Sequence, residues 1–153
     1  MTVTSTREYK EVVVTHLSNG TPLSLPIHTI QGVKEGPVLG ISALVHGDEI
    51  IGAEIIRRVY NRLDESELSG TIKLLPVSNP LAFESMTRNT PLDMNNLNRV
   101  FPGNKNGWVT EQLANSMVEN FLDHIDVYID LHAGGATPVV DYVYIQNNEE
   151  LSR

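Results

Sequence analysis

The sequence predicts an α/β domain built on a mixed, largely parallel sheet flanked by helices. Three observations predict it. Short apolar runs of strand character occur at 38–45, 71–80 and 127–135, and segments of helical spacing lie between them at 50–63 and 110–124. An alternating, turn-punctuated stretch at 9–31 adds antiparallel strands at the N-terminus.

In that first stretch "YKEVVVTHL" and "LSLPIHTIQG" alternate around "SNGTP", a hairpin-like pair with its turn at Asn19-Gly20. "VKEGP" then breaks the pattern, so residues 1–34 read as a β extension of the same domain. "VLGISALV" at 38–45 is rich in branched residues, as expected of a central strand covered on both faces. From Ile50 to Leu63, Ile51, Ile55, Val59 and Leu63 recur every fourth residue with Arg57, Arg58 and Arg62 mainly off that stripe, an amphipathic helix. "TIKLLPVSNP" at 71–80 follows Gly70 as the next strand and closes on the Asn79-Pro80 turn signal. Between Leu81 and Trp108 the periodicity dissolves into Pro, Asn and Arg, a long connection of the kind that carries function or stays disordered. Thr110 is an N-cap candidate, with Glu111 soon after, for a helix running to about His124. "VYIDLHAGG" at 127–135 ends a strand at a glycine pair, and "VVDYVYIQ" at 139–146 reads as one more strand.

The 153 residues suffice for one domain with a sizeable core. A balance of 11 basic against 19 acidic residues, formal charge -8, argues against a nucleic-acid partner. With no cysteine there is neither a disulfide framework nor a thiolate ligand, so any zinc would be held by His and carboxylate. No stretch resembles a signal peptide or a membrane span, and the expected location is cytoplasmic.

In an open α/β sheet, ligands bind beyond the carboxyl ends of the central strands. Three marked clusters fall there: His46 to Glu49, Asn79-Pro80, and Asp130 to Gly135. His46 and Glu49 are separated by two residues on a strand-to-helix turn and can approach one cation from adjacent positions. His132, on the same strand face as Asp130, is the third candidate ligand. Taken alone, the His-x-x-Glu pair is outweighed by a bland alternative: a carboxylate favouring the helix N-terminus, a turn glycine and a core histidine. The segment "MTRNTPLDMNNLNRVFPG" at 86–103 strengthens the metal reading, because Arg88 and Arg99 suit carbonyl polarisation and a carboxylate clamp.

In order along the chain, "HGDE", "NP", "R....D", "NNLNRVFPG" and "DLHAGG" resemble the succinylglutamate desuccinylase and aspartoacylase family of the zinc-carboxypeptidase superfamily. The resemblance runs from about residue 35 to the C-terminus, so that 35–153 corresponds to the N-terminal part of a zinc-hydrolase catalytic domain. It implies a carboxypeptidase-like fold and one Zn2+ per chain held by His46, Glu49 and His132. It implies further that Arg88 stabilises the developing oxyanion, that Asn98 and Arg99 hold the substrate carboxylate, and that Asp93 orients the His46 ring.

The activity so implied is hydrolysis of the amide bond of a small-molecule N-acyl amino acid by a metal-activated water. In the family the general base is a glutamate well downstream of the third ligand, followed by a smaller β-domain. The fold is therefore expected to be incomplete at the C-terminus and to lack that base, and neither Glu149 nor Glu150 is assigned its role. An open edge at 139–146 would invite a homo-oligomer or a complementing C-terminal fragment. Two alternatives stand beside this reading: a metallocarboxypeptidase acting on peptides, and an inactive zinc-binding or oligomerising fragment.

Overall fold

A computed structural model describes residues 4–135 together with residue 143. The strand expected at 139–146, and with it the edge expected to pair, lies outside the described residues apart from Val143, as do Glu149 and Glu150. The chain runs β1 (Thr6–His16), β2 (Pro22–Gln31), β3 (Lys34–Ala43), α1 (Ile51–Arg62), β4 (Ser69–Leu75), α2 (Pro80–Glu84), α3 (Val109–Asn120) and β5 (Val127–Leu131). These strands form one sheet in the order β1-β2-β4-β3-β5. Among the described residues no helix is long and apolar enough to cross a membrane.

The N-terminal hairpin turns where the sequence placed it, with Gly20 at φ +83° and the Asn19 side chain accepting from the Thr21 amide. β2 continues antiparallel onto β4, so the N-terminal residues belong to the same sheet as the rest. β3 begins four residues earlier than its apolar run. From the Lys34–Ser69 pair to the Val38–Thr71 pair, four steps on β3 match two on β4, so "VKEGP" is an irregular ladder rather than a break. Gly70 lies inside this irregularity at φ +91°, where a Cβ would sit 2.2 Å from the Pro37 carbonyl oxygen.

β3 is hydrogen-bonded in parallel to β4 on one edge and β5 on the other. The chain leaves β3 through α1 to β4, then crosses to the far side of β3 to form β5. The direction of winding therefore reverses at β3, which opens a crevice at its carboxyl end. The two sheet faces carry separate cores. Leu25, Leu75, Leu113, Met117 and Phe121 pack beneath α3, and Ile30, Ala43, Ile56 and Leu74 beneath α1.

α1 is amphipathic, but the face it buries is Gly52 and Ile56, while Ile51 and Ile55 remain exposed. The small residue decides the orientation: a Cβ on Gly52 would lie 2.9 Å from the Ala43 Cβ and 3.0 Å from the Leu131 Cβ. Only the glycine face lets the helix axis come this close to β3 and β5. The other boundaries shift for local reasons. Asn79-Pro80 starts a short helix rather than a turn, the Asn79 side chain accepting from the Ala82 amide with proline in the first turn. α3 begins at Val109, because Thr110 is engaged by Asp93 instead of capping, and Glu111 accepts from the Trp108 amide.

Candidate metal centre

The first βα turn is bent by its own backbone. β3 ends at Ala43, and the fully buried Leu44 adopts φ 54°, a left-handed conformation costly for a side chain of its size. The loop after β4 holds it there: the Ser78 amide donates to the Ala43 carbonyl at 3.0 Å and the Asn79 amide to the Leu44 carbonyl at 3.0 Å. Val45 and His46 are thereby turned back over the sheet end. Gly47 then donates to the Thr87 carbonyl at 2.8 Å, so the turn is stitched to the start of the long connection.

That connection is folded, not loose. The buried Asn79 side chain donates to Thr90 Oγ1 at 2.9 Å, the Thr90 amide to the Asn95 carbonyl, and the Met94 amide to the Thr90 carbonyl. Asp93 ties the far side of the loop to α3, accepting from the Thr110 amide, the Thr110 hydroxyl and the Asn95 amide. Burial works to raise its carboxyl, but these donors outweigh it and hold the group below the usual carboxylate range.

His46, Glu49 and His132 meet at the crevice, each offering one ligand atom within 4.8 Å of the others. His46 and Glu49 are buried, while the His132 side chain is 34% exposed and the Arg88 side chain 54%. The cluster is thus closed on the α1 side and open towards Arg88. Glu49 Oε1 faces His46 Nδ1 at 2.9 Å, and its Oε2 faces His132 Nδ1 at 2.8 Å and accepts from the Ala133 amide at 3.0 Å. Arg88 donates to Oε1 at 3.2 Å.

Both outer ring nitrogens are also engaged. His46 Nε2 lies 3.2 Å from Asn96 Oδ1, an atom that also accepts from the Asn98 amide, and His132 Nε2 lies 2.8 Å from Asp130 Oδ2. A neutral imidazole carries one proton, and His46, which burial favours in that form, faces acceptor oxygens on both sides, whereas His132 can meet its two carboxylates as an imidazolium. A cation beside the two Nδ1 atoms and Glu49 removes the conflict at His46, leaving each Nε2–H to its outer acceptor. Two imidazole nitrogens and a carboxylate are a ligand set that zinc takes, so the residues present fit the metal.

Without a cation, the same contacts set the charges of the three groups. Burial lowers the His46 imidazole below its ordinary range against the pull of Glu49. His132 is pushed up to about 9, chiefly by its hydrogen bond to Asp130, with burial opposing and Glu49 adding. For Glu49 burial acts to raise the carboxyl, but the Ala133 amide and the two rings prevail and hold it low. The group is an anion pressed between two histidines.

The remaining candidates surround this centre. Asn98 and Arg99 are exposed on a 3-10 turn, Leu97–Arg99, directly after the Asn96 that touches His46, and Arg99 donates to the Asn98 carbonyl. None of Asp93's hydrogen bonds among the described residues goes to His46. The ring's outer partner in this structure is Asn96, and Asp93 acts one step behind it by anchoring the loop. Asn96 carries no signal that would set it apart in a run of asparagines. Asp130 does, since its spacing of two from His132 puts both side chains on one side of the strand.

Residues 35–151 match the succinylglutamate desuccinylase/aspartoacylase catalytic domain. An N-alpha-acetyl-L-2,4-diaminobutyric acid deacetylase from Halomonas elongata is 36% identical over 103 residues, which are 67% of this chain and 30% of that protein. The crystal structure of an aspartoacylase family protein from Mesorhizobium loti superposes with a TM-score of 0.76 at 37% identity, covering 85% of this chain and 41% of that one. A succinylglutamate desuccinylase/aspartoacylase from Rhodobacter sphaeroides superposes at 0.78 with 30% identity, covering 84% and 40%. The chain therefore spans less than half the length of these relatives.

Proposed function

The chain belongs to the succinylglutamate desuccinylase/aspartoacylase family, and from that premise we propose that it forms the zinc-bearing part of a hydrolase that cleaves the amide bond of an N-acyl amino acid. His46, Glu49 and His132 would hold one zinc ion. When bound, the metal supplies a Lewis acid for the acyl carbonyl and lowers the pKa of a water towards neutrality.

The chain's own residues supply the rest. Arg88, half-exposed and donating to Glu49 from the open side of the cluster, would supply positive charge to a developing tetrahedral oxygen. Asn98 and Arg99 stand at the rim on the turn next to Asn96, and the planar guanidinium suits the substrate's carboxylate. Asp93 steadies that rim through Thr110. Glu49 and Asp130 are both committed to the histidines, so the proton to the leaving nitrogen is not assigned to either.

The observation that carries the reading is the pairing at the rings: both Nε2 atoms face outer oxygens while both Nδ1 atoms face Glu49. Similarity to a deacetylase of an acetylated diamino acid favours acylated amino acids over peptides as substrates.

The test is hydrolysis of N-acetyl and N-succinyl amino acids, N-acetylated diamino acids among them, by the zinc-loaded chain, with bound zinc counted in the same sample. Turnover with one zinc per chain supports the proposal. Cleavage of peptides without deacylation would instead make the chain a metallocarboxypeptidase, and stoichiometric zinc without any turnover would leave a metal-binding fragment.

A further inference from the structure

Behind His132 lies a row of hydroxyls that the proposed chemistry does not use. Ser42 on β3 is fully buried and stands directly opposite Asp130 in the β3–β5 register. Its Oγ donates to Asp130 Oδ1 and lies 2.6 Å from the Tyr128 hydroxyl. Tyr128 and Asp130 are two residues apart on β5, so both reach Ser42 from the same side.

The direction of these bonds follows from counting protons. A serine hydroxyl has one, and Ser42 gives it to the Asp130 carboxylate, so the proton between Ser42 and Tyr128 must come from the phenol. Tyr128 is 42% exposed as a residue, but desolvation where its hydroxyl meets Ser42, with the Asp130 charge, raises its pKa above the ordinary value, and the phenol stays a donor. Asp130 Oδ1 is then taken by Ser42 and Oδ2 by His132. With both oxygens held, the carboxylate cannot rotate. The ring of Tyr128 is itself set by Phe121, edge-on at 6.4 Å between centroids.

Resting on the metal-centre reading above, we infer that Tyr128 and Ser42 are positioning residues for the metal: acting through Asp130, they fix the orientation of His132 and keep its ring proton on Nε2, so that Nδ1 is free to ligate. The phenol donates to the serine, the serine to the carboxylate, and the carboxylate accepts from the imidazole. Removing the phenol proton frees Ser42 to rotate, and removing the serine frees Asp130.

Zinc affinity by competition with a chromophoric chelator, and the visible spectrum of the cobalt-loaded chain, test this on Tyr128→Phe and Ser42→Ala. Outer partners of ligating histidines typically account for about 10–100-fold in affinity. Tyr128→Phe, one link further out and with its ring packing intact, is expected to weaken zinc by about 3–10-fold, and Ser42→Ala by about 10–100-fold, on the same basis. Both are expected to change the cobalt bands, which a merely structural contact would leave unmoved. Should Ser42→Ala fail to fold, Tyr128→Phe decides alone. Wild-type affinity and an unchanged cobalt spectrum in Tyr128→Phe would overturn the inference while leaving the metal centre standing, whereas no metal uptake by the wild-type chain would overturn both.

Discussion

Gly47 lies so close to Ala82 that a Cβ built on it would sit 2.0 Å from that residue's carbonyl carbon and oxygen. The glycine of "HGDE" is therefore required by contact with α2, not by its own backbone angles. It is the point where the histidine turn and the loop carrying Arg88 are pressed together. Gly47→Ala must push backbone against backbone, and it is expected to cost about 3 kcal/mol or more. Thermal unfolding and zinc content should fall together, since the same displacement separates His46 from the loop.

Replacing both histidines removes two of the three proposed ligands but not the packing of the sheet. The double variant His46→Ala/His132→Ala is expected to retain the circular dichroism of the folded chain and to bind no stoichiometric zinc. Unchanged metal content, measured after gel filtration, would move the centre elsewhere.

Asn96 is the outer acceptor for His46 and also closes the turn that carries Asn98 and Arg99. Asn96→Ala should weaken zinc by about 10-fold. A substrate-binding defect should appear in the same variant, because the 3-10 turn loses the side chain that holds its first amide. Asn98→Ala, by contrast, is expected to raise KM and leave the metal affinity alone.

Asp93 gives a pH signature. Its folded carboxyl lies below the ordinary value, so its contribution is present above the unfolded pKa and is lost as pH falls through the folded one. Three donors to an ionised group contribute on the order of 1–3 kcal/mol here. The stability gap between wild type and Asp93→Asn should be widest near neutrality and close on acidification below the usual carboxylate range, as read from urea unfolding at a series of pH values.

The strands around the crevice were legible because β-branched runs and glycine or asparagine punctuation are local signals. The runs that became β3, β4 and β5 are examples, and the Asn19-Gly20 turn of the N-terminal hairpin was legible on the same grounds. The buried face of α1 was not legible. An isoleucine stripe outscores a glycine in any hydrophobic pattern, yet the close approach to Ala43 and Leu131 favours Gly52. The candidate ligands could be named from spacing and resemblance, whereas their outer partners could not. Asn96 meets His46 only because Asn79, Thr90 and Asp93 fold the intervening loop, and no periodicity encodes such a loop.

His132 reaches Glu49 across 83 residues of chain, while His46 is only three residues from it. An unfolded chain can therefore offer a cation two of these groups at most, and the full set exists only after β5 has been laid beside β3. A metal with such ligands discriminates native from denatured molecules, and its binding energy becomes folding energy. At a thousand-fold excess over Kd the gain is about 4 kcal/mol. The melting temperature should accordingly climb with the logarithm of free zinc, and a chelator should bring it down, so that the metal reports the docking of β5 against β3.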